Sequence, residues 1–300
     1  MFEQVTIIGC GLIGSSILRR LKKNGEIKKL ITYDNNKSVS EIIEKEGLSD
    51  QVVHSPIDAV KNSDLVLIST PLSSFESIVN LIKDNLKPGS ILTDTCSVKK
   101  GVNEIIKKIN LKNVTWIPGH PVAGTEKSGP KAGFANLFHD RWTILTPDKN
   151  VKNNDIKKIT HFWESMGSKV KIMTVDNHDK ILSLTSHLPH VIAYNIVKTS
   201  MGNDEEVKND IIRYSAGGLR DFTRIAASDP LMWKDIFINN SSRIIEAIDK
   251  FSKNLADFKK AITEKDSKKL TEIFEKSKEF RKSIIKAGQD TDKPDFGRKN

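Results

Sequence analysis

The feature that most constrains this chain is the segment "IIGCGLIG" at 7–14. Gly9, Gly11 and Gly14 stand between an apolar run suited to a strand and a stretch with helical spacing at Leu12, Leu18 and Leu21. In such a turn the first glycine allows the tight reversal. The second lets a pyrophosphate approach the backbone, and the third lets helix and strand pack closely. The helix that follows offers unpaired amides and a positive dipole end to the phosphates. Leu12 and Ile13, inside the same turn, are expected to line the dinucleotide. Asp34 falls 20 residues beyond Gly14, where a carboxylate accepts hydrogen bonds from the ribose diol. The same charge repels a 2′-phosphate. Asn35 and Asn36 offer no clamp for one, although Lys37 is near. NAD is therefore the expected cofactor, with NADP the less favoured choice.

Apolar runs at 4–9, 30–34, 64–70, 91–95 and 114–117 predict strands, alternating with helices over 12–23, 38–46, 74–86 and 99–109. That alternation is the pattern of a parallel sheet, and the continuous apolar stretch at 65–68 suits a strand covered on both faces. The Gly/Pro-rich segment 118–135 predicts a long loop, of the kind that is often functional. Further strands at 141–146 and 168–173 flank a helix over 153–166, as additions to the sheet. Beyond about residue 175 helical patterns dominate. The expected fold is α/β: a Rossmann-type dinucleotide-binding domain over 1–173, then an all-helical substrate and dimerisation domain over 174–300. Apolar faces such as 236–248 predict burial against a second subunit.

Composition removes several classes. With 37% hydrophobic and 29% charged residues, the chain has material for real cores. Two cysteines, Cys10 and Cys96, exclude a disulfide scaffold and a cysteine-built metal centre. The net charge is +10, and residues 251–300 carry half of it, with 14 basic and 9 acidic residues interleaved. Such mixing reads as a solvated helix face, so no nucleic-acid partner is expected. No run of 18 apolar residues and no signal-peptide pattern appears, which predicts a cytoplasmic protein without a membrane span.

The chemistry-bearing residues cluster around the ends of the predicted strands. Ser69, Thr70 and Pro71 end one buried strand and Asp94 ends the next, so all four are expected to face the cofactor crevice. Ser97 fits either a site hydroxyl or a plain helix cap. His120, between Gly119 and Pro121, suits a base of near-neutral pKa or an ordered loop histidine. His187 and His190 lie one helical turn apart, which serves a metal or an anionic substrate. Arg220 and Arg224, four apart, suit bidentate carboxylate binding or a surface ion-pair network. Together these residues describe a hydride-transfer enzyme acting on a small anionic hydroxy compound.

The segments "GHPVAGTE", "SHLPH" and "RDFTRIA" in combination resemble the prephenate/arogenate dehydrogenase family of tyrosine biosynthesis, over nearly the whole chain. The resemblance implies that His120 is the catalytic histidine and Ser97 its partner. It implies that Arg224 is the main carboxylate binder and Arg220 its support, a mild departure because many relatives carry Lys there. His178 and His190 are implied as pocket histidines that hold substrate. Thr125 and Glu126 are implied at the pocket rim, with Glu126 pairing to Arg224 as a gate. Trp233 is implied at a homodimer interface near the neighbouring site. The implied reaction is an oxidative decarboxylation that needs no metal, with prephenate and arogenate both open as substrates. The positions of the motifs along the 300 residues predict no fused mutase or regulatory module. Two rival readings are another hydroxyacid dehydrogenase of similar architecture and a non-catalytic NAD-binding regulator.

Overall fold

The computed structural model describes residues 2–201 and 205–288. The first half alternates strand and helix: β1 (Gln4–Ile8), α1 (Leu12–Asn24), β2 (Lys29–Tyr33), α2 (Lys37–Lys45), β3 (Gln51–Val52), α3 (Pro56–Val60), β4 (Leu65–Ile68), α4 (Leu72–Ile82), β5 (Ile91–Asp94), α5 (Lys99–Ile109) and β6 (Thr115–Trp116). These six strands form one parallel sheet in the order β3-β2-β1-β4-β5-β6. The order reverses between β1 and β4, so a crevice opens at their carboxyl ends, the place where open α/β sheets bind ligands. Successive residues of β1 and β4 enter two separate cores. Val5, Ile7, Leu65 and Leu67 face one, and Ile8, Val66 and Ile68 face the other. Each such side chain contributes about 1.5–3 kcal/mol when fully buried, which is why these short strands need no polar face.

Past β6 the chain departs from the expected loop. β7 (Gly119–Pro121), β8 (Trp142–Leu145) and β9 (Lys169–Ile172) form a separate three-stranded sheet, with α6 (Asn153–Ser165) between the last two. Residues 119–121 are thus strand, paired antiparallel with β8, and His120 stands opposite Ile144. Local composition hides this strand because glycine and proline flank the histidine. The segments at 141–146 and 168–173 do not extend the parallel sheet. The Gly/Pro-rich stretch also has a packing role. A Cβ on Gly133 would meet Ser15 Oγ at 2.1 Å, and Phe134 N donates to Ser16 Oγ at 3.1 Å. The loop therefore lies directly on α1.

The rest is helical: α7 (Val175–Leu182), α8 (Leu188–Ser200), α9 (Glu205–Arg213), α10 (Gly217–Thr223), α11 (Pro230–Asn239), α12 (Ser241–Thr263) and α13 (Ser267–Lys286). A π-helical turn, Ser183–His187, joins α7 to α8 inside "SLTSH", a distortion frequent at functional sites. The apolar face expected over 236–248 is broken at Asn240, which separates α11 from α12. One compact unit runs from residue 1 to Ile244, beyond the 173/174 boundary drawn from the sequence, and a second covers 245–300. The first unit extends so far because α7, α8 and α11 carry the residues that close the site described below. Among the described residues, no helix is long and apolar enough to cross a membrane.

The glycines of the first turn separate by what surrounds them. A Cβ on Gly14 would lie 2.0 Å from the Gly9 carbonyl oxygen, whereas one on Gly11 meets nothing within 4 Å. Gly14→Ala is expected to lower stability by on the order of 3 kcal/mol in a denaturant melt, the range of severe backbone clashes. Gly11→Ala should melt within a few degrees of wild type and instead lose dinucleotide affinity. An equal loss of stability in both would contradict the packing described here.

Candidate active site

The cofactor side is built where β1 and β4 end. Gly9 takes a left-handed φ of +88°, and a Cβ there would strike the Ser69 carbonyl oxygen at 2.6 Å. Only glycine lets the two strand ends close together at this point. Gly11 caps α1 without a side-chain hydrogen bond, and its empty Cβ direction leaves the first-turn amides at Leu12 and Ile13 open. That cradle fits a pyrophosphate. Asp34 lies at the crevice edge, where its Oδ2 accepts from Cys10 N at 2.7 Å and its Oδ1 from Asn36 N at 2.9 Å. The carboxylate is therefore fixed, with lone pairs left for a diol. Lys37, the basic residue that follows in sequence, lies 3.9 Å from Glu41. Thr95 Oγ1 donates to Ser69 Oγ at 3.1 Å, tying the ends of β4 and β5. Thr70 follows at the mouth of β4, and Pro71 opens α4.

Asp94 does not join this face. Its side chain is fully buried beneath the site, where it accepts from Lys99 Nζ at 2.6 Å, Cys96 N at 3.0 Å and Gly119 N at 3.1 Å. The expectation that it touches the cofactor is corrected on that ground. It ties β5 to β7 instead.

Beyond that tie lies a chain of titratable groups. His120 Nδ1 is 2.8 Å from His178 Nε2, and His178 Nδ1 is 2.7 Å from Asp179 Oδ1. Asp179 also accepts the first amides of α5, with Lys99 N on Oδ1 and Lys100 N on Oδ2, each at 2.9 Å. Burial pushes its carboxyl upward. The bonds from His178 and those amides outweigh that effect and hold it below the ordinary value. An ionised Asp179 accepts a hydrogen bond from His178 Nδ1–H, which leaves His178 Nε2 as an acceptor. His120 must then donate from Nδ1, and its Nε2 carries a free lone pair. Burial, followed by the neighbouring His178, Lys99 and His187, holds His120 well below the usual imidazole value, so it is neutral near pH 7. A neutral imidazole with its Nε2 unprotonated is a proton acceptor.

This arrangement corrects the reading of His178. It is wholly buried behind His120, with both ring nitrogens engaged by His120 and Asp179. Ser97 is not the cap of α5. Val98 occupies that position without a side-chain bond, and Asp179 supplies the cap from 80 residues away. Ser97 stays half-buried in the turn leading to it.

The outer wall comes from the helices. His190 donates from Nδ1 to the Ser186 carbonyl at 2.9 Å, which leaves its Nε2 as an acceptor. Its ring stacks on Trp233 with centroids 3.5 Å apart and 22° between planes. Trp233 is buried within its own chain by this stacking and by Val98 and Ile236. Arg224 begins a 3-10 turn after α10, and its Nη1 donates to Glu126 Oε2 at 3.2 Å. Arg220, four residues earlier, is exposed on α10. Thr125 Oγ1 accepts from Lys127 N at 3.2 Å and shapes the exposed turn that presents Glu126. Three participants carry no assigned role in the sequence reading of the proton-transfer site: Lys99, Asp179 and Asn240. Asn240 donates from Nδ2 to the Asp179 carbonyl at 2.9 Å and lies 3.1 Å from His187 Nδ1. The only local hint was Asp179 beside His178.

A parallel doubly wound sheet with a glycine cradle at its reversal point is the architecture of a dinucleotide-binding protein. Comparison with known proteins narrows this. Residues 17–172 match the family model "Prephenate dehydrogenase, nucleotide-binding domain", and 174–276 match "Prephenate dehydrogenase, dimerization domain". A cyclohexadienyl dehydrogenase of Zymomonas mobilis is 38% identical over 284 residues, covering 95% of this chain and 97% of that protein. The crystal structure of prephenate dehydrogenase from Aquifex aeolicus, in complex with hydroxyphenyl propionate and NAD+, superposes with a TM-score of 0.87 at 33% identity. The match covers 95% of this chain and 99% of that one. A Synechocystis arogenate dehydrogenase shares the fold, with a TM-score of 0.77 at 22% identity over 94% of this chain and 99% of its own. The chain belongs to the prephenate/arogenate dehydrogenase family, and it is an oxidoreductase.

The buried histidines predict an acid limit to stability. Burial pushes His187 down to about 4, and His120 and His178 also lie below their ordinary 6.5. The unfolded chain takes up these protons near 6.5 and the folded chain does not, so stability is fully present above pH 6.5 and declines as pH falls toward 4. His187 alone accounts for on the order of 3 kcal/mol across that window. Thermal melts from pH 7.5 to 4.5 should show the decline, with a shallower slope in His187→Gln. A flat profile would mean that these rings are not buried neutral.

Proposed function

We propose that the protein catalyses the NAD-dependent oxidative decarboxylation of prephenate to 4-hydroxyphenylpyruvate, of arogenate to tyrosine, or of both, with His120 accepting the hydroxyl proton. The observation that carries this reading is the His120–His178–Asp179 chain, which leaves one lone pair on a neutral, buried imidazole. NAD, when bound, supplies the acceptor for the hydride leaving C4 of the cyclohexadienol. The Gly9–Gly14 turn, Asp34 and the Ser69–Pro71 strand end are assigned to holding it, in keeping with the NAD+ named in the Aquifex complex. Asp34, fixed by two amides, favours NAD over NADP.

His120 Nε2 takes the C4 hydroxyl proton as the alcohol becomes a carbonyl. The imidazolium so formed keeps its Nδ1 bond to His178, and Asp179 offsets the new charge through that ring. The bond from the ring to its carboxylate then breaks and CO₂ leaves. The electron pair passes into the ring and out to the C4 oxygen, which receives the proton from His120 and ends as a phenol. Aromatisation supplies the driving force. Ser97 is assigned to orienting the substrate hydroxyl or His120. Arg224, supported by Arg220, is assigned the substrate carboxylate. Its pairing with Glu126 keeps it at the rim until substrate replaces that partner. His190, Thr125 and Trp233 complete the wall. Residues 1–173 would hold the nucleotide and 174–300 the substrate and a second subunit, consistent with the dimerization domain matched over 174–276.

His120→Asn is expected to lower kcat by about 10²–10⁴-fold, the span of a lost general base, while NAD affinity measured by fluorescence titration stays near wild type. Wild-type turnover in that variant would remove His120 from the mechanism. Arg224→Ala should chiefly raise the KM for prephenate or arogenate in an NADH-formation assay, by roughly tenfold or more for a lost charge-assisted bidentate contact. An unchanged KM would place the carboxylate elsewhere.

A further inference from the structure

We propose that Lys99 is a positioning residue for this reaction: its buried ammonium pins the strand that carries His120 and holds a positive charge behind that imidazole. The inference rests on His120 being the base, and it adds a residue that the sequence did not single out.

Three observations carry it. First, Lys99 Nζ has no solvent exposure and donates to both Asp94 Oδ2 and the Gly119 carbonyl, each at 2.6 Å. Gly119 N donates to Asp94 Oδ1 at 3.1 Å. Both backbone groups of the residue before His120 are thus held by one ion pair. The register explains why they are free to be held. Thr146 N bonds to Pro118 O and Val122 N to Trp142 O, so the alternate residue, Gly119, turns its polar groups away from β8. The ion pair stands where a further strand would stand.

Second, the placement runs against local preference. Lys99 is the first residue of α5, the positive end of that helix, where a cation is disfavoured. A buried ion pair is also a poor source of stability compared with an apolar side chain of the same volume. A local rule broken at this depth points to function.

Third, the charged groups around His120 come from every element packed on it. His178 and Asp179 come from α7, His187 from the π turn, Asp94 from β5 and Lys99 from α5. Asp94 and Asp179 are both held by partners of their own. The Lys99 charge acts on His120 in the same direction as burial, toward the neutral ring.

The test is a histidine ring titration by NMR in the full-length protein, with the His120 signal assigned by its loss in His120→Asn. In Lys99→Met the His120 titration should move up by roughly one pH unit, the size of a neighbouring-charge effect. The acidic limb of kcat/KM should move with it. Lys99→Arg keeps the charge and the donors, so its titration should stay at the wild-type position. If Lys99→Met does not fold, Lys99→Gln, neutral but still a donor, is held to the same criterion. A neutral variant that titrates like wild type overturns the proposal, as does an Arg variant that shifts as far as the Met variant. Failure of the base assignment reads differently: His120→Asn would then keep its turnover, whatever the ring titration shows.

Discussion

The Asp179 carboxylate is the contact on which the rest of the site depends. It accepts three hydrogen bonds at once, from the first two amides of α5 and from His178. Its own carbonyl accepts Asn240 at the head of α12. The start of α5 has no cap of its own, so the dinucleotide half is left with unpaired amides that a residue of the helical half must satisfy. The helix dipole and those amides in turn keep the carboxylate ionised in a buried place. That charge decides which nitrogen of His178 carries a proton, and through it which nitrogen of His120 is free. Fold and chemistry therefore share one interaction.

The site divides by dielectric. The histidine chain and the Asp94–Lys99 pair are buried, where hydrogen bonds are strong and an unpaired charge is costly. Arg224 and Glu126 lie at the solvent edge, where an ion pair is worth little and is easily exchanged. This difference suits their assigned tasks. A group that must hold one tautomer belongs inside, and a group that must release one carboxylate for another belongs at the rim. His190 stands between the two, part-exposed yet held by its stacking on the buried Trp233.

Much of the dinucleotide half is legible from local pattern. The glycine turn and the strand at 65–68 each follow from one short segment, because the tight turn and two-sided burial are local demands. His120 is legible as a special residue through its neighbours Gly119 and Pro121, but not as a strand residue. Its strand exists only because β8 lies beside it. Asp94 shows why position along a strand is not enough. Strand ends face the crevice on average, yet this side chain turns inward to meet Lys99 and Gly119.

The sequence by itself determined that a glycine cradle follows the first strand, that strands and helices alternate into a parallel sheet, and which histidines and arginines have chemistry to offer. These depend on spacing within a dozen residues. Only the tertiary structure decided that His178 stands behind His120, that Asp179 caps a helix 80 residues away, and that Lys99 is buried. Those outcomes come from pairing polar groups once water has been removed. The partners are chosen by which elements meet in space, and no period or motif along the chain records that choice.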